Sequence, residues 1–198
     1  MKGFWTRISL ILLVLGLVMT GADSADAQVT KPRVLFHTNQ GDFTVELEAA
    51  RAPKTVANFL QYVREGHYDG TIFHRVVAGF VIQGGGFTTD YRKVPTRGPI
   101  QNEADKGLSN ERGTIAMART SDPHSASDQF FVNLKFNGSL DYRAKTTDGW
   151  GYTAFGKVID GMNIVARIGA VPTGKGGPFD AEAPLEPVVI EKASIIAE

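Results

Sequence analysis

The 198-residue sequence contains no cysteine. That excludes thiolate nucleophiles, cysteine-based metal sites, a lipidated N-terminal cysteine and every disulfide. A domain large enough for a full core does not need the last of these. An excess of charge is also lacking, since 21 Lys and Arg balance 21 Asp and Glu. Nucleic acids and anionic membranes usually call for a basic excess, so neither is expected as a partner. The four histidines (His37, His67, His74, His124) are scattered, without ligand spacing such as H-E-x-x-H. No G-x-S-x-G elbow offers an acyl-transfer serine. Gly84-Gly85-Gly86 has no Lys-Ser/Thr after it and no βαβ unit around it, so it reads as a tight bend or close backbone contact. No metal and no cofactor is expected. Glu103 and Asp105 read as solvated loop carboxylates.

One strongly apolar run is present, Ile8 to Met19, preceded by Lys2 and Arg7 and followed by small and polar residues ending Ala25-Asp26-Ala27. Its length of about a dozen residues falls short of the roughly twenty that a spanning helix needs, whereas a basic start, a short apolar stretch and an A-x-A site make an export signal. Cleavage after Ala27 is expected, giving a periplasmic or secreted protein with no stable membrane insertion afterwards. The segment 1–27 carries Lys2 and Arg7 against Asp23 and Asp26, so the remainder stays neutral. Residues 28–33 read as a short polar tether and 34–198 as one domain, with no repeat, low-complexity tract or linker to divide it.

Within that domain the pattern is mostly that of strands. Phe43 to Glu48 alternates apolar and polar, and Asn39-Gln40-Gly41-Asp42 separates it by turn chemistry from Val34 to His37, so the two form an antiparallel hairpin. Pro53 then opens a helix whose stripe is Val56, Phe59, Leu60 and Val63, and Gly66 stops it. This helix should lie on a barrel end or sheet edge. Further strands are expected over Thr71–Val77, Phe80–Gln83, Thr114–Ala118, Gln129–Val132, Ala154–Val158 and Val188–Ile195, with a second short helix over Met162–Ile168. About eight short strands and only two helices favour an all-β closed barrel or a sandwich.

The stretch Phe73-His74-Arg75-Val76-Val77-Ala78-Gly79-Phe80-Val81-Ile82-Gln83-Gly84-Gly85 stands out. Strand alternation puts Phe73, Arg75 and Val77 on one face. If that face is inward, Arg75 lies among apolar neighbours, a costly position unless something accepts its donors. A functional arginine and an arginine paired with a carboxylate at a barrel rim are both open on this spacing.

At this stretch the sequence resembles the cyclophilins. The likeness continues through Asn102-Glu103-Ala104, Gly113-Thr114-Ile115-Ala116-Met117-Ala118, Gln129-Phe130-Phe131-Val132 and Phe155-Gly156-Lys157-Val158. With the signal segment and Tyr152, it looks most like the exported bacterial branch. The resemblance implies an eight-stranded antiparallel barrel capped by two helices, and a peptidyl-prolyl cis–trans isomerase acting as a monomer on proline-containing polypeptides. It implies that Arg75 is the catalytic arginine and Gln83 its polar partner. Phe80, Phe131 and Leu140 then form the proline pocket, with Val81 where a methionine is usual. Ala118, Arg119 and Gln129 would line the groove for residues preceding proline, and Tyr152 stands where many relatives have histidine.

Three departures accompany the match. Ser139 occupies a position of tryptophan or phenylalanine, so one pocket wall should be thin and cyclosporin-type macrocycles should bind weakly. Asp128 replaces a small residue and adds charge near the groove. The 141–150 loop, with Arg143, Lys145 and Asp148, is somewhat long, and Trp150 is placed to fold back into the space left by Ser139. A shallow pocket keeps a second reading open, a proline-peptide binding or holdase module with incidental turnover.

Overall fold

The computed structural model describes residues 31–198, so the expected export signal lies outside the described residues. Eleven strands and two α-helices follow one another in this span. They are β1 (Arg33–Thr38), β2 (Gly41–Leu47), α1 (Pro53–Arg64), β3 (Thr71–Ile72), β4 (Arg75–Val77), β5 (Val81–Gly84), β6 (Thr114–Met117), β7 (Phe130–Asn133), β8 (Ala154–Asp160), α2 (Met162–Ile168), β9 (Thr173–Gly176), β10 (Phe179–Pro184) and β11 (Val189–Ala197). A single 3₁₀ turn, Gly138–Leu140, lies between β7 and β8. Arg33 already belongs to β1, paired with Glu46 and Ala197, which shortens the expected tether at its C-terminal end.

Nine strands form one antiparallel sheet in the order β3-β11-β1-β2-β8-β6-β7-β5-β4. The sheet curls until its ends approach. The Ile72 N–H donates to Phe87 O at 2.9 Å and Thr71 bridges Thr88, so β3 meets the chain just beyond β5. The expected single strand over 71–77 is two pieces, because Phe73 and His74 break the alternation. Phe73 and Val76 both reach the inner core, and Arg75 lies on the outer face, not among inward apolar neighbours.

Aromatic rings fill the barrel. Phe130 packs against Phe36 at 5.4 Å, Tyr68 at 5.4 Å, Phe59 at 5.9 Å and Phe73 at 6.0 Å between centroids, mostly edge to face. Helix α1 buries Val56, Phe59, Leu60 and Val63, and Phe59 reaches rings from β1, β7 and β8. The helix ends on Gly66 at φ +67°. There the His67 N–H bonds Tyr62 O and the Gly66 N–H bonds Val63 O, a closure that needs a left-handed residue. Its N-terminus has no side-chain cap of its own. Glu103 supplies one from afar: its carboxylate accepts from the Lys54 N–H at 3.2 Å, and from the Thr55 N–H at 2.9 Å and hydroxyl at 2.8 Å. The carboxylate read as solvated thus satisfies donors that the first helical turn leaves open and faces the positive end of the helix dipole.

Candidate active site

Four neighbouring strands carry the site in one row. Arg75 of β4 is opposite Gln83 of β5, Gln83 is opposite Phe131 of β7, and Phe131 is opposite Ala116 of β6. Residues aligned across a ladder share a face, about 4.8 Å apart per strand. That face is the outside of the barrel. Phe131 and its neighbours Val81, Ala116 and Ala154 form a small apolar cluster separate from the inner core, with Phe80, Leu140 and Tyr152 packed against it.

The row opens into a cleft of about 180 Å³ lined by Arg75, Phe80, Val81, Gln83, Ala118, Arg119, Phe131, Leu140 and Tyr152. A second cleft of about 180 Å³ adjoins it through Gln83, Ala118 and Arg119, and adds Gln129 and Asp128. The structure therefore brings together every residue singled out for the site except Ser139. Ser139 is exposed on the 3₁₀ turn and lines neither cleft. Trp150 does not fill in for it, since its ring packs on His124 at 4.8 Å and Tyr142 at 5.6 Å.

Three side chains have partners other than those expected. Arg75 is held not by Gln83 but by Glu182 of β10, whose Oε2 accepts from Nε at 2.7 Å. Arg75 is thus paired with a carboxylate, as one of its two readings had it, and it also lines the cleft. Gln83 Nε2 donates instead to Gln129 Oε1 at 3.1 Å. Gln129 reaches it by lying across Gly86, where a Cβ would come within 2.4 Å of its amide. The triple glycine is thus a place of close approach. Asp128 is fully buried: its Oδ2 bonds the His67 imidazole at 3.0 Å and its Oδ1 takes the Ser127 hydroxyl at 3.0 Å, so it is not a free charge on the groove.

Arg119 lies 4.5 Å over the Tyr152 ring, while its Nε donates to Gly151 O and its Nη1 to Thr120 O, each at 2.9 Å. Tyr152 also meets Phe131 edge-on at 5.7 Å. These contacts give the groove wall a fixed cation and a fixed aromatic plate.

Beneath the cleft runs an amide relay that sequence reading missed. Asn137 Nδ2 donates to Phe80 O at 3.1 Å and to Asn133 Oδ1 at 2.7 Å. Asn133 Nδ2 donates to Asn110 Oδ1 at 3.1 Å, and Asn110 Nδ2 donates to Leu140 O at 3.2 Å and Tyr152 O at 3.3 Å. Asn110, Asn133 and Asn137 are buried and satisfied, which rigidifies the backbone carrying Phe80, Leu140 and Tyr152. Behind Arg75, His74 stacks on Phe179 at 5.3 Å and meets Phe87 edge-on at 4.7 Å, with Nδ1 lacking a partner. Burial pushes its imidazole down to about 4.

The sequence that carries this row of arginine, glutamine and phenylalanine matches a known family. The model of the cyclophilin type peptidyl-prolyl cis-trans isomerase family covers residues 33–195. The chain belongs to the cyclophilins. It is 55% identical over 163 residues to a peptidyl-prolyl cis-trans isomerase of Streptomyces antibioticus, covering 82% of this chain and 98% of the relative. It is 49% identical to isomerase B of Escherichia coli K12, with the same two coverages, 82% and 98%. Isomerase A of Dickeya dadantii is 44% identical, and there the match covers 94% of this chain and 96% of the relative. A crystal structure of a Cryptosporidium parvum cyclophilin superposes with a TM-score of 0.68 at 28% identity, over 85% of this chain and 99% of that one. Membership makes the protein a peptidyl-prolyl cis–trans isomerase, and its barrel is the cyclophilin fold. The implied eight strands correspond to nine in the ladder here, because the break at Phe73-His74 divides one strand into β3 and β4.

Proposed function

We propose that the enzyme rotates Xaa-Pro bonds of exported or unfolded polypeptides by stabilising the twisted amide with Arg75, without covalent chemistry. The carrying observation is the row Arg75–Gln83–Phe131 at the edge of an apolar cleft. Amide resonance sets a barrier of about 18–20 kcal/mol. Loss of that resonance leaves a lone pair on the proline nitrogen and a carbonyl free to turn, so a catalyst needs only to bind this state better than either planar one. Phe80, Phe131 and Leu140 grip the pyrrolidine ring as a pivot. Arg75 donates to a substrate carbonyl and to the proline nitrogen, an interaction that strengthens as the amide twists. The wall of Ala118, Arg119, Gln129 and Tyr152 holds the residues preceding proline, while the proline side turns.

Export is the reading that the basic, short-apolar, A-x-A start of the chain supports; intact mass of the secreted protein should begin at Gln28. Ser139 standing away from the cleft supports weak binding of cyclosporin-type macrocycles, and the enzyme acts as a monomer.

The test is turnover of a short Ala-Pro peptide by residues 28–198 beside its Arg75→Ala variant. Loss of kcat/KM by roughly a hundredfold or more, about 3 kcal/mol of transition-state stabilisation, is expected. A loss below threefold in the folded variant refutes Arg75 as the catalytic group.

A further inference from the structure

The contact that fixes Arg75 comes from outside the barrel. Glu182 lies on β10, which pairs only with β9 in a two-stranded sheet of its own. Its carboxylate takes Arg75 Nε at 2.7 Å across 107 positions of sequence. Nε is the inner nitrogen of the guanidinium. Among the described residues no other hydrogen bond to that group is found, so Nη1 and Nη2 remain available where Arg75 lines the cleft. A guanidinium is planar, and fixing Nε as well as the stem fixes the direction of its two outer donors.

Glu182 reaches this place at a conformational cost. Its φ is +68°, a left-handed backbone that side chains with a Cβ avoid. Tyr91, at φ +60°, is the other such non-glycine residue among the described residues, and it packs against Gly176 and Gly177 at the tip of the same hairpin. Strain is thus concentrated around one element that touches the site, and the ladder of β10 slips between Phe179 and Ala183 beside it. Strained residues persist where their surroundings hold them, and they gather at functional sites. Here the holding group is Phe179, stacked on His74, the residue immediately before Arg75. The hairpin is docked by Phe179 and delivers Glu182 onto Arg75.

We propose that Glu182 is a positioning residue for isomerisation: it never touches the substrate, but locks the Arg75 guanidinium with Nη1 and Nη2 presented to the turning amide. This rests on the reading of Arg75 as the catalytic group. Both partners are partly exposed, so the pair contributes little to stability and its effect is expected in turnover.

Peptide kinetics resolving kcat from KM, together with melting temperatures, test this on Glu182→Ala, Glu182→Gln, Glu182→Gly, Arg75→Ala and the Arg75→Ala/Glu182→Ala double variant. Glu182→Ala should lower kcat by roughly threefold to tenfold with little change in KM. Glu182→Gln keeps an acceptor oxygen and should retain most of the activity. Glu182→Gly relieves the left-handed strain, so it should melt no lower than wild type and still lose kcat as Glu182→Ala does. In the double variant, removing Glu182 should cost nothing beyond Arg75→Ala alone. Wild-type kcat in Glu182→Gly, with Arg75→Ala inactive, overturns the positioning role and leaves Arg75 in place. Full turnover by Arg75→Ala overturns the reading of Arg75 itself.

Discussion

Phe130 and Phe131 are neighbours in β7, chemically identical, and more than nine-tenths buried, yet they belong to different parts of the molecule. Phe130 points inward and meets four aromatic rings from elements across the barrel. Phe131 points outward into a cluster of Val81, Ala116 and Ala154, with Tyr152 as its aromatic neighbour. One strand therefore separates an interior whose rings satisfy one another from a cleft that the second ring lines. The comparison teaches that burial alone does not mark a core residue. What marks it is whether the neighbours come from all sides or from a rim.

The largest expected effect is on the inner face. Phe130→Ala should destabilise the fold by about 3–5 kcal/mol, read by denaturant unfolding, because four ring contacts vanish and the barrel cannot collapse around the hole. A loss under 1 kcal/mol would erase the distinction between the faces. His74 tests the join between them. Its ordinary value near 6.5 falls to about 4 on folding. Above pH 6.5 the imidazole is neutral in both states; as pH falls toward 4 the unfolded chain takes a proton that the folded one refuses. Stability is thus lost with acidification, by about 2–3 kcal/mol between pH 7 and 4.5. Comparing the pH dependence of unfolding in wild type and His74→Leu isolates this share, and equal slopes would contradict it.

On the outer face, Phe131→Ala should lower kcat/KM by about tenfold or more while destabilising less than Phe130→Ala does. Peptide turnover and melting measured on both variants give the cross-over; a Phe131 variant that is unstable but fully active would break the comparison. The smallest effect serves as a control remote from either ring. Glu103→Ala strips the borrowed cap from α1 and should cost about 1 kcal/mol, with turnover unchanged.

Much of this was legible in the chain because it is local. Alternation in Phe43–Glu48, the stripe Val56–Phe59–Leu60–Val63 and the stop at Gly66 each follow from a few consecutive residues. The row across β4, β5, β7 and β6 became readable through five separated sequence blocks that resemble one family. Thr71–Val77 misled because every residue in it suits a strand, whereas Phe73 and Val76 both turn inward and His74 packs on Phe179, more than a hundred positions away. The Thr173–Pro184 hairpin went unread: TGKG carries no apolar residue, and the alternation of FDAEA, resting largely on alanine, is short and hemmed in by glycine and proline. The Asn110–Asn133–Asn137 relay and the borrowed cap of Glu103 share that cause. Polar residues ordinarily read as surface become structural only when the fold brings their partners to them.

The β9–β10 hairpin has a consequence for how such an enzyme changes over generations. It stands outside the nine-strand ladder, so residues can be inserted, deleted or exchanged in it without shifting the register of any barrel strand. Yet it ends on the side chain of Arg75. The molecule thus carries an interchangeable cassette wired to its site, where a lineage or a protein engineer can retune the enzyme while leaving its foundation untouched.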